Sequence, residues 1–561
     1  MDYSNLVAVY DKLDKTRSRL ELTSIIAEFL KDVPEKDLPV ILLLLEGRVF
    51  PLWSDKELGV GNKVVIKAIS TVSGVSEEKI EDIIRETGDT GLAAEKVLGK
   101  KSQTTLYTAD LSVEKVYRNL DKLASLAGKG SQDKKISYIS ELLSFAGPQE
   151  ARYIVRSILE ELRLGVGTGI IRDAIAESYG VKPELVERAY NYVSDYGEVA
   201  KTAKTKGDAG LEAIDLDPGR PIECMLAQKV QNVQEALDEF GGTAAFEIKY
   251  DGARLQIHKR GDHVDLFTRR LENVTKQFPE MVRAARENIR GETAIIEGEM
   301  VAIHGGGDRR PRPFQDLSRR IKRKYDIDVL VKQIPVEINL FDAIYINGRN
   351  LLELPFKERR GELEKIVNLT DNFRLADQLI TSDKEEAENF YKKALDLGHE
   401  GVMAKSLDSP YQPGSRVGYM YKIKPVMETL DLVVTGATWG EGRRAHWLGS
   451  YLLSVKDQET GELLEIGRMA TGFSDEELKE MTETLKPEIT SEIGKEVKIR
   501  PRIVFEVAYE EIQKSPTYSS GYAMRFPRLV RIRPDKGIED IDTLQRVEDL
   551  LKKDRNVSVH S

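Results

Sequence analysis

The chain has 561 residues, too many for one hydrophobic core, so about two to four domains are expected. Apolar residues make up 40% and charged residues 32%, a globular composition whose ionised surface resembles a thermophile's, and no run of about eighteen apolar residues offers a membrane span. The single cysteine, Cys224, excludes intrachain disulfides and cysteine-rich zinc modules, and a net charge of −10 weighs against a nucleic-acid partner unless cations are locally concentrated.

The opening Met1-Asp2-Tyr3-Ser4 lacks a basic segment followed by an apolar one, so no signal peptide is expected and the protein is read as intracellular. Residues 1 to about 215 read as helical. Stretches 5–30 and 149–164 carry apolar residues at three- and four-residue spacing with charges between them. Glycine-rich breakers divide the helices at 88–91, 128–131 and 165–169. The last, Gly165-Val166-Gly167-Thr168-Gly169, lies between Arg163 and Arg172 and opens onto a helical run at 170–178. It reads either as a helix–helix connection or as backbone amides presented to phosphate at a helix N-terminus.

Residues 214–220, with Pro218-Gly219 after a short acidic stretch, read as a linker. Beyond it the periodicity changes. Strands are expected at 243–259, 263–269, 294–303 and 335–346, with helices near 278–289, 356–367 and 383–397, which makes a mixed α+β domain. Within it Arg309, Arg310, Arg312, Arg319, Arg320, Lys322, Arg323 and Lys324 crowd one segment, either a solvated basic loop or a local field for phosphate. From about residue 430, short strands at 446–455, 463–469 and 503–509 with turn glycines read as a small barrel, closed by a charged helix at 538–552.

Chemistry concentrates in Glu247-Ile248-Lys249-Tyr250-Asp251-Gly252-Ala253-Arg254. An amine stands two residues after one acid and two before another, beside an Asp-Gly turn, in a stretch that alternates like a strand. A lysine becomes a nucleophile once its proton is gone. Five further strings follow: Thr268-Arg269, Glu297-Gly298-Glu299, Phe341-Asp342, Glu400-Gly401-Val402-Met403-Ala404-Lys405 and Lys422-Ile423-Lys424. Singly, each could be a charged rim, a polar strand face or core packing.

As an ordered set, K-x-D-G, S/T-R, E-G-E, F-D, E-G-x-M-x-K and K-x-K resemble the motifs of the covalent nucleotidyltransferases. With Gln513-Lys514-Ser515-Pro516, Arg525-Phe526-Pro527-Arg528 and the R-x-D-K string Arg533-Pro534-Asp535-Lys536, the whole chain resembles the archaeal and eukaryotic-type replicative ATP-dependent DNA ligases. The resemblance implies three domains: an all-α DNA-binding domain (1–218), an α+β nucleotidyltransferase or adenylation domain (219–427) and a C-terminal OB-fold β-barrel ending in a helix (428–561). It implies a monomer at the cytoplasmic or nucleoid DNA, active in replication, repair and recombination.

It also implies roles. Lys249 would attack ATP and carry AMP as a phosphoramidate, helped by positive charge from Arg254, Lys422, Lys424 and Mg²⁺. Glu247 would accept from the adenine amino group, and Phe341 would stack on the base. Arg254 and Arg269 would contact ribose or the 5′-phosphate of the nick, and Arg416 and Lys422 the α-phosphate. Arg531, Arg533 and Lys536 would orient the leaving pyrophosphate, and Glu299 and Glu400 would bind Mg²⁺, which prefers oxygen ligands. A hinge is expected at 424–430, letting the barrel close over ATP and swing away. Cys224, where the family more often has proline, reads as a buried structural thiol.

Nicked double-stranded DNA would be gripped partly by the helical domain, with Arg163, Arg172, Gly167 and Gly169 as candidate phosphate contacts. Gln103-Thr104-Thr105-Leu106-Tyr107 resembles a shortened motif for docking on a sliding clamp. The rival readings are an NAD⁺-dependent ligase, disfavoured by the single cysteine; a capping guanylyltransferase or RNA ligase, which lacks the long helical region; and a catalytically silent DNA-binding scaffold.

Overall fold

The computed structural model describes all residues except 100–110, 127, 129, 163, 306–309, 324, 426–428, 441–443 and 557–561, with backbone alone at 552–556. The chain forms two units. One comprises Met1–Val230, Ala236–Asp383 and Met403–Lys422, the other Gln231–Glu235, Lys384–Val402 and Ile423–Ser561.

The first unit opens with helices running from Tyr3–Lys15 to Tyr196–Glu212. Their apolar stripes share one core containing Leu6, Tyr10, Ile26, Leu42, Tyr153 and Ile154, all buried. The expected helical stretch at 5–30 is two helices, Tyr3–Lys15 and Arg19–Asp32. The break comes from Ser18, whose hydroxyl accepts from the Glu21 amide at 3.4 Å and starts the second helix as its N-cap. The stretch at 149–164 stops at Ile158 because Glu160 adopts a left-handed φ of 56°.

The chain from residue 228 to 423 is built on two sheets. In chain order the strands are β1 (Gln228–Lys229), β2 (Ala244–Lys249), β3 (Ala253–Arg260), β4 (His263–Thr268), β5 (Thr293–Ala302), β6 (Val336–Ile346), β7 (Arg349–Asn350), β8 (Phe373–Leu375), β9 (Gln378–Thr381), β10 (Gly401–Lys405) and β11 (Met420–Ile423). One sheet runs β1-β11-β10-β2-β9; the other runs β4-β3-β5-β6-β7, with β8 on β6. β5 and β6 are buried on both faces, as their near-continuous apolar residues require. The basic segment that could have been a solvated loop contains a helix, Phe314–Ile321, and a second follows at Ile327–Gln333. Arg320 is fully buried there: it pairs with Glu280 at 2.5 Å and donates to the Gln277 and Ile334 carbonyls, so one cation of that cluster belongs to the core.

The second unit holds β12 (Leu430–Trp439), β13 (Leu448–Lys456), β14 (Leu463–Met469), β15 (Ile489–Ile493), β16 (Glu496–Ile499), β17 (Val504–Ala508), β18 (Glu511–Lys514), β19 (Tyr522–Arg525) and β20 (Arg528–Ile532). Seven of them form one antiparallel sheet, and β18 pairs with β19. Absent from the sequence expectation is the helix Asp475–Leu485, set by a capping box between Ser474 and Glu477. The closing helix begins at Leu544 rather than near 538. No helix among the described residues is long and apolar enough to cross a membrane.

Between the sheet and the Phe356–Ile366 helix, Arg359 grips Asp342 with two bonds of 2.9 Å, both side chains almost fully buried. Removing one partner strands a buried charge, so Arg359→Met is expected to destabilise the first unit by about 3–5 kcal/mol, read as a lowered midpoint of denaturant unfolding.

Candidate active site

Strand register gathers several residues of the motif strings in the first unit. β3 and β5 pair antiparallel with Arg254 opposite Glu299 and Gln256 opposite Glu297, and β5 meets β6 with Glu297 opposite Asp342. Lys249 ends β2 half-buried, and the turn Tyr250-Asp251-Gly252 leads at once into β3. Gly252 is required by close approach: a Cβ there would stand 2.3 Å from the Met300 carbonyl and 3.1 Å from the Glu299 side chain. The lysine turn and the Glu297-Gly298-Glu299 strand are therefore packed directly together.

Two residues before Lys249, and so on the same face of β2, Glu247 is 2% exposed. Its Oε2 lies 2.5 Å from Lys405 Nζ, and its Oε1 accepts from Gln378 Nε2 at 2.9 Å, with Arg360 Nη1 at 3.6 Å. The Lys405 ammonium also stands 4.3 Å from the Phe341 ring centre and 4.6 Å from that of Phe356. Glu247 and Phe341 are thus joined through a lysine whose string the sequence displayed but to which it gave no role.

Arg254 is held with similar completeness. It pairs with the fully buried Glu297 at 2.5 Å and donates to the Tyr411 hydroxyl at 3.1 Å and the Met225 carbonyl at 2.8 Å, while its guanidinium lies 5.4 Å from the Phe341 ring centre. Tyr411 in turn donates to Glu297 at 3.0 Å. A recess of about 300 Å³, partly open to solvent, is lined by Arg254, Glu297, Phe341, Lys405 and Tyr411, among others. Behind it Cys224 packs on Gln256 and Glu297, and burial pushes its thiol up to about 12. Burial likewise pushes the His258 imidazole down to about 3, consistent with a neutral ring whose Nδ1 accepts from the Gly219 amide at 3.0 Å.

The other expected residues of this unit differ in exposure. Arg269 stands exposed after β4, Arg416 exposed before β11, and Lys422 half-buried on β11. In the helical region Gly167 is the N-cap of the Thr168–Tyr179 helix, and Arg19 Nη2 lies 3.2 Å from where a Cβ on Gly169 would be. Arg172 is tied to Asp173 at 2.7 Å and Glu187 at 2.9 Å. Arg163, the 103–107 segment and part of the expected hinge (426–428) lie outside the described residues.

The second unit brings together its own set. Glu400 pairs with Lys424 at 2.9 Å, and Gly401, at φ +136°, sits where a Cβ would meet the Ile423 carbonyl at 2.2 Å. Arg531 is bound by Glu506 at 2.7 Å, Lys536 by Asp431 at 2.6 Å, and Arg533 by Asp535 at 2.7 Å and Asp431 at 3.2 Å. The bond from Arg533 holds the Asp535 carboxyl down to about 2. Among the described residues no group of three or more His, Cys, Asp or Glu side chains forms a metal cage. Glu299 and Glu400, the carboxylates expected to bind Mg²⁺, are each half-buried.

Sequence reasoning did not single out Tyr411, Arg360 and Gln378. They come from β9, a helix and a loop with no spacing relation to Lys249, so only the register Glu247–Gln378 and the fold of the chain disclose them.

Comparison with known proteins covers the chain. Family models match in order: "DNA ligase N terminus" at residues 2–176, "ATP dependent DNA ligase domain" at 224–424 and "ATP dependent DNA ligase C terminal region" at 444–536. The DNA ligase of Thermococcus fumicolans is 50% identical over 550 residues, covering 98% of both chains. That of Nanoarchaeum equitans is 46% identical over 566 residues, covering 99% of each, and that of Methanopyrus kandleri is 46% identical over 559 residues, covering 99% of this chain and all of the other. Among solved structures, Pmar-Lig_PreS3 shares the fold at a TM-score of 0.57 and 18% identity, over 94% of this chain and 99% of that one.

A thiol this deeply buried and protonated should resist alkylation. Iodoacetamide at pH 8 is expected to leave Cys224 unmodified in the native protein and to modify it once denaturant unfolds the chain, as mass spectrometry will read.

Proposed function

Because this chain belongs to the ATP-dependent DNA ligases, we propose that its nick-sealing chemistry runs through Lys249 and the strands around it. The enzyme seals 5′-phosphate/3′-hydroxyl nicks in duplex DNA at the expense of ATP, and it does so in three steps.

In the first, the neutral amine of Lys249 bonds to the α-phosphorus of ATP, the bond to pyrophosphate breaks, and the amine proton is lost. In the second, an oxygen of the 5′-phosphate attacks the same phosphorus and Lys249 leaves, giving adenylylated DNA. In the third, the 3′-hydroxyl oxygen attacks the 5′-phosphorus, AMP departs and the backbone is continuous. Each step displaces one group at phosphorus, so the protein's contribution is position and charge.

The observation that carries this assignment is the packing of the Lys249 turn on the strand of Glu299 through Gly252. In this reading Phe341 and Glu247 take the base, Arg254 and Arg269 the ribose or the nick phosphate, and Arg416, Lys422 and Lys424 the α-phosphate region. Arg531, Arg533 and Lys536 orient the pyrophosphate. Glu299 and Glu400, each taken singly, are the candidate ligands for Mg²⁺, which would neutralise phosphate charge when bound. We divide the work among residues 1–218 for DNA binding, 219–427 for adenylylation and 428–561 for the barrel. Arg172, Gly167 and Gly169, with Arg163, are candidate DNA contacts, supported by the glycine N-cap and the nearby Arg19. Residues 103–107 are our candidate for a sliding-clamp contact, supported by a polar run ending in Tyr107. The protein acts as a monomer on cytoplasmic or nucleoid DNA in this reading.

Incubation with labelled ATP and Mg²⁺ tests it: peptide mapping is expected to find AMP on Lys249, and Lys249→Ala to retain none. AMP trapped at another residue of active enzyme refutes the assignment. Because phosphate contacts dominate, raising salt from about 50 to about 200 mM should weaken binding to a nicked duplex by about 10³-fold with little dependence on sequence, as a titration by fluorescence anisotropy will show.

A further inference from the structure

Glu247 poses an electrostatic problem that the base-binding role does not solve by itself. A carboxylate 2% exposed in the middle of a sheet needs a counter-charge. Three groups face it. Gln378 is neutral and bonds Oε1 at 2.9 Å. Arg360 is 3.6 Å away, with three of its N–H groups bonded elsewhere, to Glu364 at 2.9 Å and the Leu340 and Ala376 carbonyls at 3.3 and 3.1 Å. Lys405, at 2.5 Å and itself buried, makes the close ion pair. Its ammonium also lies against the face of Phe341, so a single side chain fixes both members of the proposed base-binding pair.

We propose that Lys405 is the positioning residue that makes the nucleotide pocket select a 6-amino purine over a 6-oxo purine, by holding Glu247 as a fixed anionic acceptor. The proposal rests on the reading of Glu247 and Phe341 as the base site. An anion held this way accepts from an exocyclic amino group and repels the lone pairs of an oxo group at the same place. Deprived of the ammonium, the carboxylate keeps only Gln378 and the more distant Arg360 and loses the contact that ties it to Phe341, so its placement towards the substituent at C6 is no longer fixed. Selectivity then falls, by admitting the unwanted base as well as by losing the right one.

The test compares ATP with inosine triphosphate, which carries oxygen in place of nitrogen at C6, as donors for covalent nucleotidylation of the enzyme. kcat/KM is measured for wild type, Lys405→Met, Lys405→Gln, Lys405→Arg and Glu247→Gln, each checked by thermal unfolding. The ATP-to-ITP ratio is expected to fall by about 10- to 100-fold in Lys405→Met and Lys405→Gln, mainly through a raised KM for ATP, and to be largely restored in Lys405→Arg. If Lys405→Met does not fold, the neutral but hydrogen-bonding Lys405→Gln decides the same point. A ratio unchanged from wild type in the folded Lys405 variants, with both nucleotides losing activity together, overturns the proposal and leaves Lys405 a packing residue. Glu247→Gln separates the two levels. If it shifts the ratio and the Lys405 variants do not, the proposal alone fails; if it leaves the ratio unchanged, the base-site reading fails with it.

Discussion

Three buried carboxylates, one in the first sheet and two on paired strands of the second, each closed by its own cation, are the constraint around which the first unit is organised. Glu247 meets Lys405, Glu297 meets Arg254, and Asp342 meets Arg359. Taking ions out of water costs several kcal/mol apiece unless the partner is correctly placed, so none of these strands can slip without stranding a charge. The same pairs set the orientation of everything nearby. Arg254 and Lys405 both lie against Phe341, which links the register of β5 and β6 to the shape of the recess. Stability and pre-organisation of the site are here one set of contacts, since polar groups already fixed need no rearrangement when substrate charge arrives.

Much of this was legible in the sequence, because its strongest signals are local. Strands such as 263–268 and 463–469 are short alternating or apolar runs bounded by turn residues, and the string around Lys249 is one strand end, a turn and the next strand start. Reading failed where a local rule was overridden or where the signal was non-local. Periodicity alone joined two helices across Ser18, a cap whose hydroxyl ends one run by starting another. Composition alone read the arginines near 320 as a solvated loop or a local field for phosphate, although the Arg320 guanidinium lies over Phe278 at 4.4 Å inside the core. The helix at 475–485 was hidden by its polar face, though Ser474 and Glu477 spelled its capping box. For the expected site, the motif strings held Glu247 and Arg254 together with their ion partners Lys405 and Glu297, but the further contacts of Tyr411, Arg360 and Gln378 exist only in three dimensions.

The division of labour follows from chemistry at phosphorus. Three successive displacements at one type of centre ask for a nucleophile, a way to neutralise charge and a means of bringing successive substrates to it; they do not ask for a cluster of exotic side chains. The chain meets this with common residue types, and its specificity lies in how tightly the surroundings define their positions.

The self-neutralised edge of the barrel carries a consequence of its own. Arg531, Arg533 and Lys536 are already satisfied by Glu506, Asp431 and Asp535, so an arriving anion must compete with resident carboxylates. A lone phosphate trades one anionic partner for another and gains little. A chain of linked phosphates can engage several of these cations together, and the loss of freedom in seating the first group is not repeated for the next. In the proposed pyrophosphate-orienting role, internal pairing would act as a threshold filter: it would discount lone anions and reward charge that comes tethered in a row.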